Sequence, residues 1–70
     1  MKLSARNVLA GKVAEIERGS VNAVVKVDIG GGKMISSMIT LDALADLAIK
    51  EGSDVFAIVK SSSVILGIDD

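Results

Sequence analysis

The sequence predicts an all-β fold with one short helix, a small Greek-key barrel of five strands making a single domain over residues 1–70. Three observations predict it. Apolar residues alternate in short runs of strand length; the period changes once, to that of a helix, after Thr40; and glycine and serine clusters, with no proline, mark the turns.

Taken in order, residues 7–17 read as a first strand, with Leu9, Gly11, Val13 and Glu15 on one face and Ile16 on the other. Arg18-Gly19-Ser20 is a turn signal. Residues 21–29 alternate most cleanly: Val21, Ala23, Val25, Val27 and Ile29 face one way, Asn22, Lys26 and Asp28 the other. Gly30-Gly31-Gly32 leads into a third strand at residues 33–40, whose Ile35 and Ile39 share a face. These glycines lack the spacing of a phosphate-binding loop and join two strands, so they read as a hairpin turn that uses positive φ. Leu41, Leu44, Ala45, Leu47 and Ala48 then fit one face of a helix, with Thr40 as N-cap and Asp42 in the first turn; Glu51-Gly52-Ser53 ends it. Residues 55–60 and 64–68 are the fourth and fifth strands, separated by Ser61-Ser62-Ser63. Three strands, a helix and two strands is the order of an OB-type barrel. One helix is too few for a doubly wound sheet.

A chain of 70 residues buries a modest share of its surface. Cysteine is absent, so neither disulfides nor a thiolate metal site can support it, and self-association is the expected support. Half the residues are hydrophobic while Phe56 is the only aromatic, which is more aliphatic surface than one small core absorbs. The net charge of −1 and an isoelectric point near 5.2 offer no pull on polyanions, and stacking aromatics are missing, so no nucleic-acid partner is expected. Arg6, Asn7 and Lys12 interrupt the N-terminal apolar run. That excludes a signal peptide or membrane span there, and the cytoplasm is the expected location.

The residue inventory also speaks against catalysis. Histidine is absent, so serine nucleophiles have no ordinary base, and nothing marks Lys12 or Lys60 as desolvated. Glu15 and Glu17 read as a solvated strand face, and Asp69-Asp70 as an exposed terminus. No loop gathers oxygens as a calcium site does, so no bound metal cation is expected.

The polar residues outside these elements are more informative. Ser4-Ala5-Arg6-Asn7 sets a hydroxyl, a guanidinium and an amide beside the first strand; Lys60-Ser61-Ser62-Ser63 sets an ammonium and three hydroxyls beside the fourth. Ser36, Ser37 and Thr40 add hydroxyls leading to a helix start, where free N–H groups suit an anion. None of these segments contains a carboxylate. Such a set matches a tetrahedral dianion that accepts hydrogen bonds and donates none. Serines and lysines beside strands are equally ordinary loop residues. Composition by itself therefore stops at a small β-barrel with polar loops.

The ordered words along the chain carry more. Ser4-Ala5-Arg6-Asn7 with Leu9 and Gly11-Lys12-Val13, then Gly19-Ser20-Val21-Asn22-Ala23-Val24-Val25, Ile35-Ser36-Ser37-Met38-Ile39-Thr40, Leu47, Glu51-Gly52, Val55 and Lys60-Ser61-Ser62-Ser63-Val64 together resemble the molbindins, the stand-alone Mop domains of the TOBE superfamily. The resemblance implies an OB-like fold, a homohexamer built as a trimer of dimers, and molybdate or tungstate held as an oxyanion at subunit interfaces. By position, Ser4 and Arg6 would bind the ion together with Lys60 and Ser61, assisted by Ala5 and Ser62, while Thr40 would reach it from a neighbouring subunit. Secondary oxyanion sites near the oligomer axes would draw on Gly19, Ser20, Val21 and Asn22. Two positions depart from the family pattern: Val8 stands where a glutamine often follows, and Ala43 where some relatives place a serine ligand.

Two other readings share the fold class. An OB-type nucleic-acid binder is disfavoured by the charge and the lone Phe56; a structural or regulatory TOBE module without oxyanion binding would serve a fused domain, of which this sequence shows none. Storage or buffering of the oxyanion is the expected role, and enzymatic activity is not expected.

Overall fold

The computed structural model describes residues 1–69, and its longest strand organises the rest by pairing on both edges. That strand, β1 (Asn7–Arg18), pairs antiparallel with β2 (Asn22–Gly30) from Lys12↔Asp28 to Arg18↔Ala23, and with β4 (Asp54–Val59) from Asn7↔Val59 to Lys12↔Asp54. β3 (Lys33–Thr40) pairs with β2 through the hairpin turn, giving the order β3-β2-β1-β4. The short helix α1 (Leu41–Asp46) leads from β3 back towards β4. Gly30, Gly31 and Gly32 take φ of 92°, 63° and 74°, the left-handed conformations expected of that turn.

To serve two partners β1 must bend, and it does so at a bulge between Val13 and Glu15. The bulge resets the alternation of the strand. Val13 is buried and Ile16 packs on the same core, whereas Glu15 turns outward, its Oε2 3.5 Å from Lys26 Nζ. The expected grouping of Glu15 with Val13, and of Ile16 opposite, is corrected accordingly. Gly11 lies just before this bend. A Cβ there would sit 2.6 Å from the Asp28 carbonyl oxygen and 2.7 Å from Val27 Cγ1, so the close approach of β1 and β2 requires glycine.

The core is small: Val13, Ala23, Val25, Val27 and Leu44 are buried, with Ile16, Ile29, Ile39, Leu41, Ile49 and Val55 packed around them. Alternation along β2 supplies three of the five, as its pattern predicts. Val21 precedes the strand and is exposed. α1 contributes Leu44 and stops earlier than expected. Ala48 adopts a left-handed φ of 51°, and the N–H groups of Ala48 and Ile49 donate to the carbonyls of Ala45 and Leu44. This is a Schellman cap built on alanine in place of glycine, and Gly52 belongs to the next turn.

The fifth strand is not formed. After a 3₁₀ turn at Ser61–Ser63, residues 64–69 run without a strand partner, and Ile65, Leu66 and Ile68 are 93%, 88% and 91% exposed. The run has strand composition, but a strand exists only where a neighbouring edge accepts its hydrogen bonds. The outer edges of β3 and β4 are left unpaired and face one another across an open groove. The molecule is thus a curled, half-closed barrel of four strands. Asp69 is exposed as expected, while Asp70 lies outside the described residues. Among the described residues no helix is long and apolar enough to cross a membrane.

Candidate functional site

The β1–β4 ladder ends at the pair Asn7↔Val59, and this rung brings the two donor-rich words of the sequence together. Ser4, Ala5 and Arg6 precede it on one strand; Lys60, Ser61 and Ser62 follow it on the other. Across the rung, Asn7 Nδ2 donates to the Val59 carbonyl at 3.2 Å. Ala5 and Asn7 are half-buried, whereas Ser4, Arg6, Lys60, Ser61 and Ser62 are exposed. The chain then tightens into the 3₁₀ turn, with Ser63 N–H donating to the Lys60 carbonyl at 2.8 Å and Val64 N–H to that of Ser61 at 3.3 Å. Such a turn leaves the N–H groups of Ser61 and Ser62 without an acceptor inside it, so the backbone adds donors to the hydroxyls.

Neither Arg6 nor Lys60 is neutralised by a carboxylate among the described residues. The two ion pairs there are Lys12–Asp54, at 2.7 Å, and Lys26–Glu15, and both lie elsewhere on the sheet. Two cations, several hydroxyls and free amides therefore share one end of the sheet with no competing acid. This arrangement can hold a small anion. It offers no nucleophile paired with a base, and no group of three or more His, Cys, Asp or Glu among the described residues could hold a metal ion.

Thr40 is at the other end. It pairs with Asn22, whose strand begins where β1 finishes, and β1 is twelve residues long. An extended strand of that length spans on the order of 35 Å. Thr40 Oγ1 accepts the Ala43 N–H at 3.0 Å as the N-cap of α1, which leaves the hydroxyl hydrogen free to donate outward. Gly19, Ser20, Val21 and Asn22 form the turn beside it: Gly19 N–H donates to the Asn22 carbonyl at 2.7 Å, and Leu41 N–H to that of Val21 at 2.9 Å. So one chain assembles Ser4, Ala5 and Arg6 with Lys60, Ser61 and Ser62, and separates them from Thr40 and Gly19–Asn22. Ser36 and Ser37 sit mid-strand on β3 and line the groove between the open edges, apart from both groups.

That groove, of about 240 Å³, is a feature the sequence reading missed. Val25 and Val27 line it along with Ile35 and Ile39 of β3 and Ala57 and Val59 of β4. The exposed apolar run at residues 64–68 was its signal, since a run of strand composition implies an edge to receive it. A wider, shallow crevice beside Gly11 carries Asp28 and Asp54, which makes it unsuited to an anion.

Comparison with known proteins bears on this geometry. The TOBE domain profile matches residues 3–66. A probable molybdenum-pterin-binding protein of Haemophilus influenzae is 51% identical over 69 residues, covering 99% of this chain and 100% of that one. Among solved structures, MopII from Clostridium pasteurianum superposes with a TM-score of 0.90 at 43% identity, covering 96% of this chain and 100% of that chain. The cytoplasmic molybdate-binding protein ModG, in a form with molybdate bound, gives a TM-score of 0.94 at 48% identity, over 99% of this chain and 49% of that one.

Proposed function

The chain belongs to the TOBE domain family and, within it, to the molbindins, and on that premise we propose that it binds molybdate reversibly at the Asn7–Val59 end of its sheet. The observation that carries this reading is the pairing of two donor-rich segments, one around Arg6 and one around Lys60, with no carboxylate between them. Arg6 and Lys60 offset the charge of the dianion. The hydroxyls of Ser4, Ser61 and Ser62 and the neighbouring amides, that of Ala5 included, satisfy its oxygens, which can only accept. Tungstate presents the same shape and charge and occupies the same site. Sulfate presents the same acceptors on a smaller frame, so discrimination rests on the spacing of donors around the cavity.

A second copy completes the site. Thr40 is about one strand length from Arg6 in its own chain, so its free hydroxyl reaches the ion from a neighbour. The exposed run at residues 64–68 and the unpaired edges of β3 and β4 supply the means of association, because one copy's tail has the composition to fill the other's groove. Lys60, Ser61 and Ser62 immediately precede that tail, which puts the donor group at the resulting interface. A hexamer of three such dimers in the cytoplasm, storing or buffering the oxyanion without catalysing a reaction, is the assembly and role this reading favours.

Isothermal calorimetry of the purified chain with molybdate, tungstate and sulfate tests the proposal. Saturable binding of the first two, with sulfate much weaker, is the expected result. No heat with any of the three would refute it.

A further inference from the structure

We propose that Asn7 is a positioning residue of the oxyanion site, an inference that rests on the proposed molybdate binding and concerns how its two cations are held. Asn7 is not among the donors assigned to the ion, yet it makes the one side-chain bond that joins their two segments: Nδ2 to the Val59 carbonyl, 3.2 Å across 52 residues of sequence. The β1–β4 register stops at this pair, so no further backbone rung restrains the segments beyond it. Arg6 is the residue immediately before one end of the bond, and Lys60 the residue immediately after the other.

Two consequences follow from elementary chemistry. Without an anion the two cations repel one another, and the end of the ladder is where that repulsion would splay the strands. The amide cross-link opposes it. The Val59 carbonyl also shares a rigid, planar peptide unit with the Lys60 N–H, so a donor that fixes the one fixes the other. That peptide opens the 3₁₀ turn whose carbonyl at Lys60 is bonded by Ser63. Asn7 therefore sets the direction in which Lys60 and the Ser61 and Ser62 amides leave the sheet. An apolar β-branched residue would pair in the strand as well as asparagine does, and is favoured there. It would lack the donor.

The test is a double-mutant cycle on the full chain, with molybdate affinity read by calorimetry and melting temperature and subunit count read on the same samples. Asn7→Ala and Asn7→Val should each weaken molybdate binding on the order of tenfold, with ligand-free melting lowered by no more than the few degrees one hydrogen bond is worth and the subunit count as in the wild type. In a Lys60→Ala background the same substitutions should cost less affinity than in the wild type, because one of the groups they position is gone. Wild-type affinity in both Asn7 variants would overturn the inference. So would an undiminished loss in the Lys60→Ala background, or a loss accompanied by a fall in subunit count. A failure of the underlying reading looks different: Arg6→Ala and Lys60→Ala would leave the affinity unchanged, or the wild type would not bind, and either result overturns both.

Discussion

The two ends of the sheet are built from similar materials and are put to different use. At the helix end, Thr40 caps α1, the turn at Gly19–Asn22 bonds to itself and to Leu41, and most donors are spent inside the fold. At the Asn7–Val59 end the sheet stops at one rung, and Ser4, Arg6, Lys60, Ser61 and Ser62 extend beyond it into solvent. The first end uses hydroxyls and amides to close a structure; the second leaves them open for something else to close. Polar residues beside strands thus cannot be told apart by type. What separates them is whether the chain itself contains the acceptors they need. At the Asn7 end it does not, and on the proposed function an acceptor-only dianion together with a second copy would meet the deficit.

Breaking the open end at its proposed means of assembly should have the largest effect. Ile65→Asp with Leu66→Asp, at positions now fully exposed in the single chain, is expected to yield a monomer by native mass spectrometry and to abolish molybdate binding, since burying unpaired carboxylates in the partner's groove is prohibitive. Retained assembly in that variant would show that the tail is not the connection.

Removing one cation comes next. Arg6→Ala or Lys60→Ala should weaken molybdate binding by roughly two orders of magnitude, the scale of truncating one partner of a charge-assisted pair. Melting of the ligand-free protein should stay within about 2 °C, because neither side chain is engaged in the fold.

Thr40→Val tests whether the helix end serves the ion as well as the fold. Losing the N-cap acceptor should cost about 1 kcal/mol of stability by chemical denaturation, and molybdate affinity should fall as well if the hydroxyl reaches an ion held by a neighbour. Lost stability with unchanged affinity would assign Thr40 to the fold alone.

The smallest effect is purely structural. Ala48→Gly should stabilise the protein by up to about 1 kcal/mol, since a left-handed φ of 51° strains alanine and not glycine, with no change in affinity.

How much of this was legible in the sequence depended on whether the governing interaction was local. β2 and β3 announced themselves by alternation, Thr40 by its place before a helical period, and Gly30–Gly32 by the need for positive φ. The bulge in β1 did not, because it arises where the strand passes from pairing with β4 to pairing with β2, and so simple alternation puts Glu15 and Ile16 on the wrong faces. The end of α1 was hidden because alanine stands where a cap of this type favours glycine. The tail reads as a fifth strand, and its composition is that of one, but in the single chain it pairs with neither open edge. For the site, composition reached only a donor-rich pair of segments. The ordered resemblance supplied the ion, and the register of β1 with β4 showed that the two segments meet.

The central claim is that the oxyanion is held between copies of the chain and by no single copy. Native mass spectrometry of the wild-type protein titrated with molybdate tests it most directly, because subunit number and bound ions are read from the same peaks. The expected spectrum carries molybdate on multi-subunit species and none on any monomer. A monomer that holds molybdate stoichiometrically, or an assembly that never takes it up, would contradict the account.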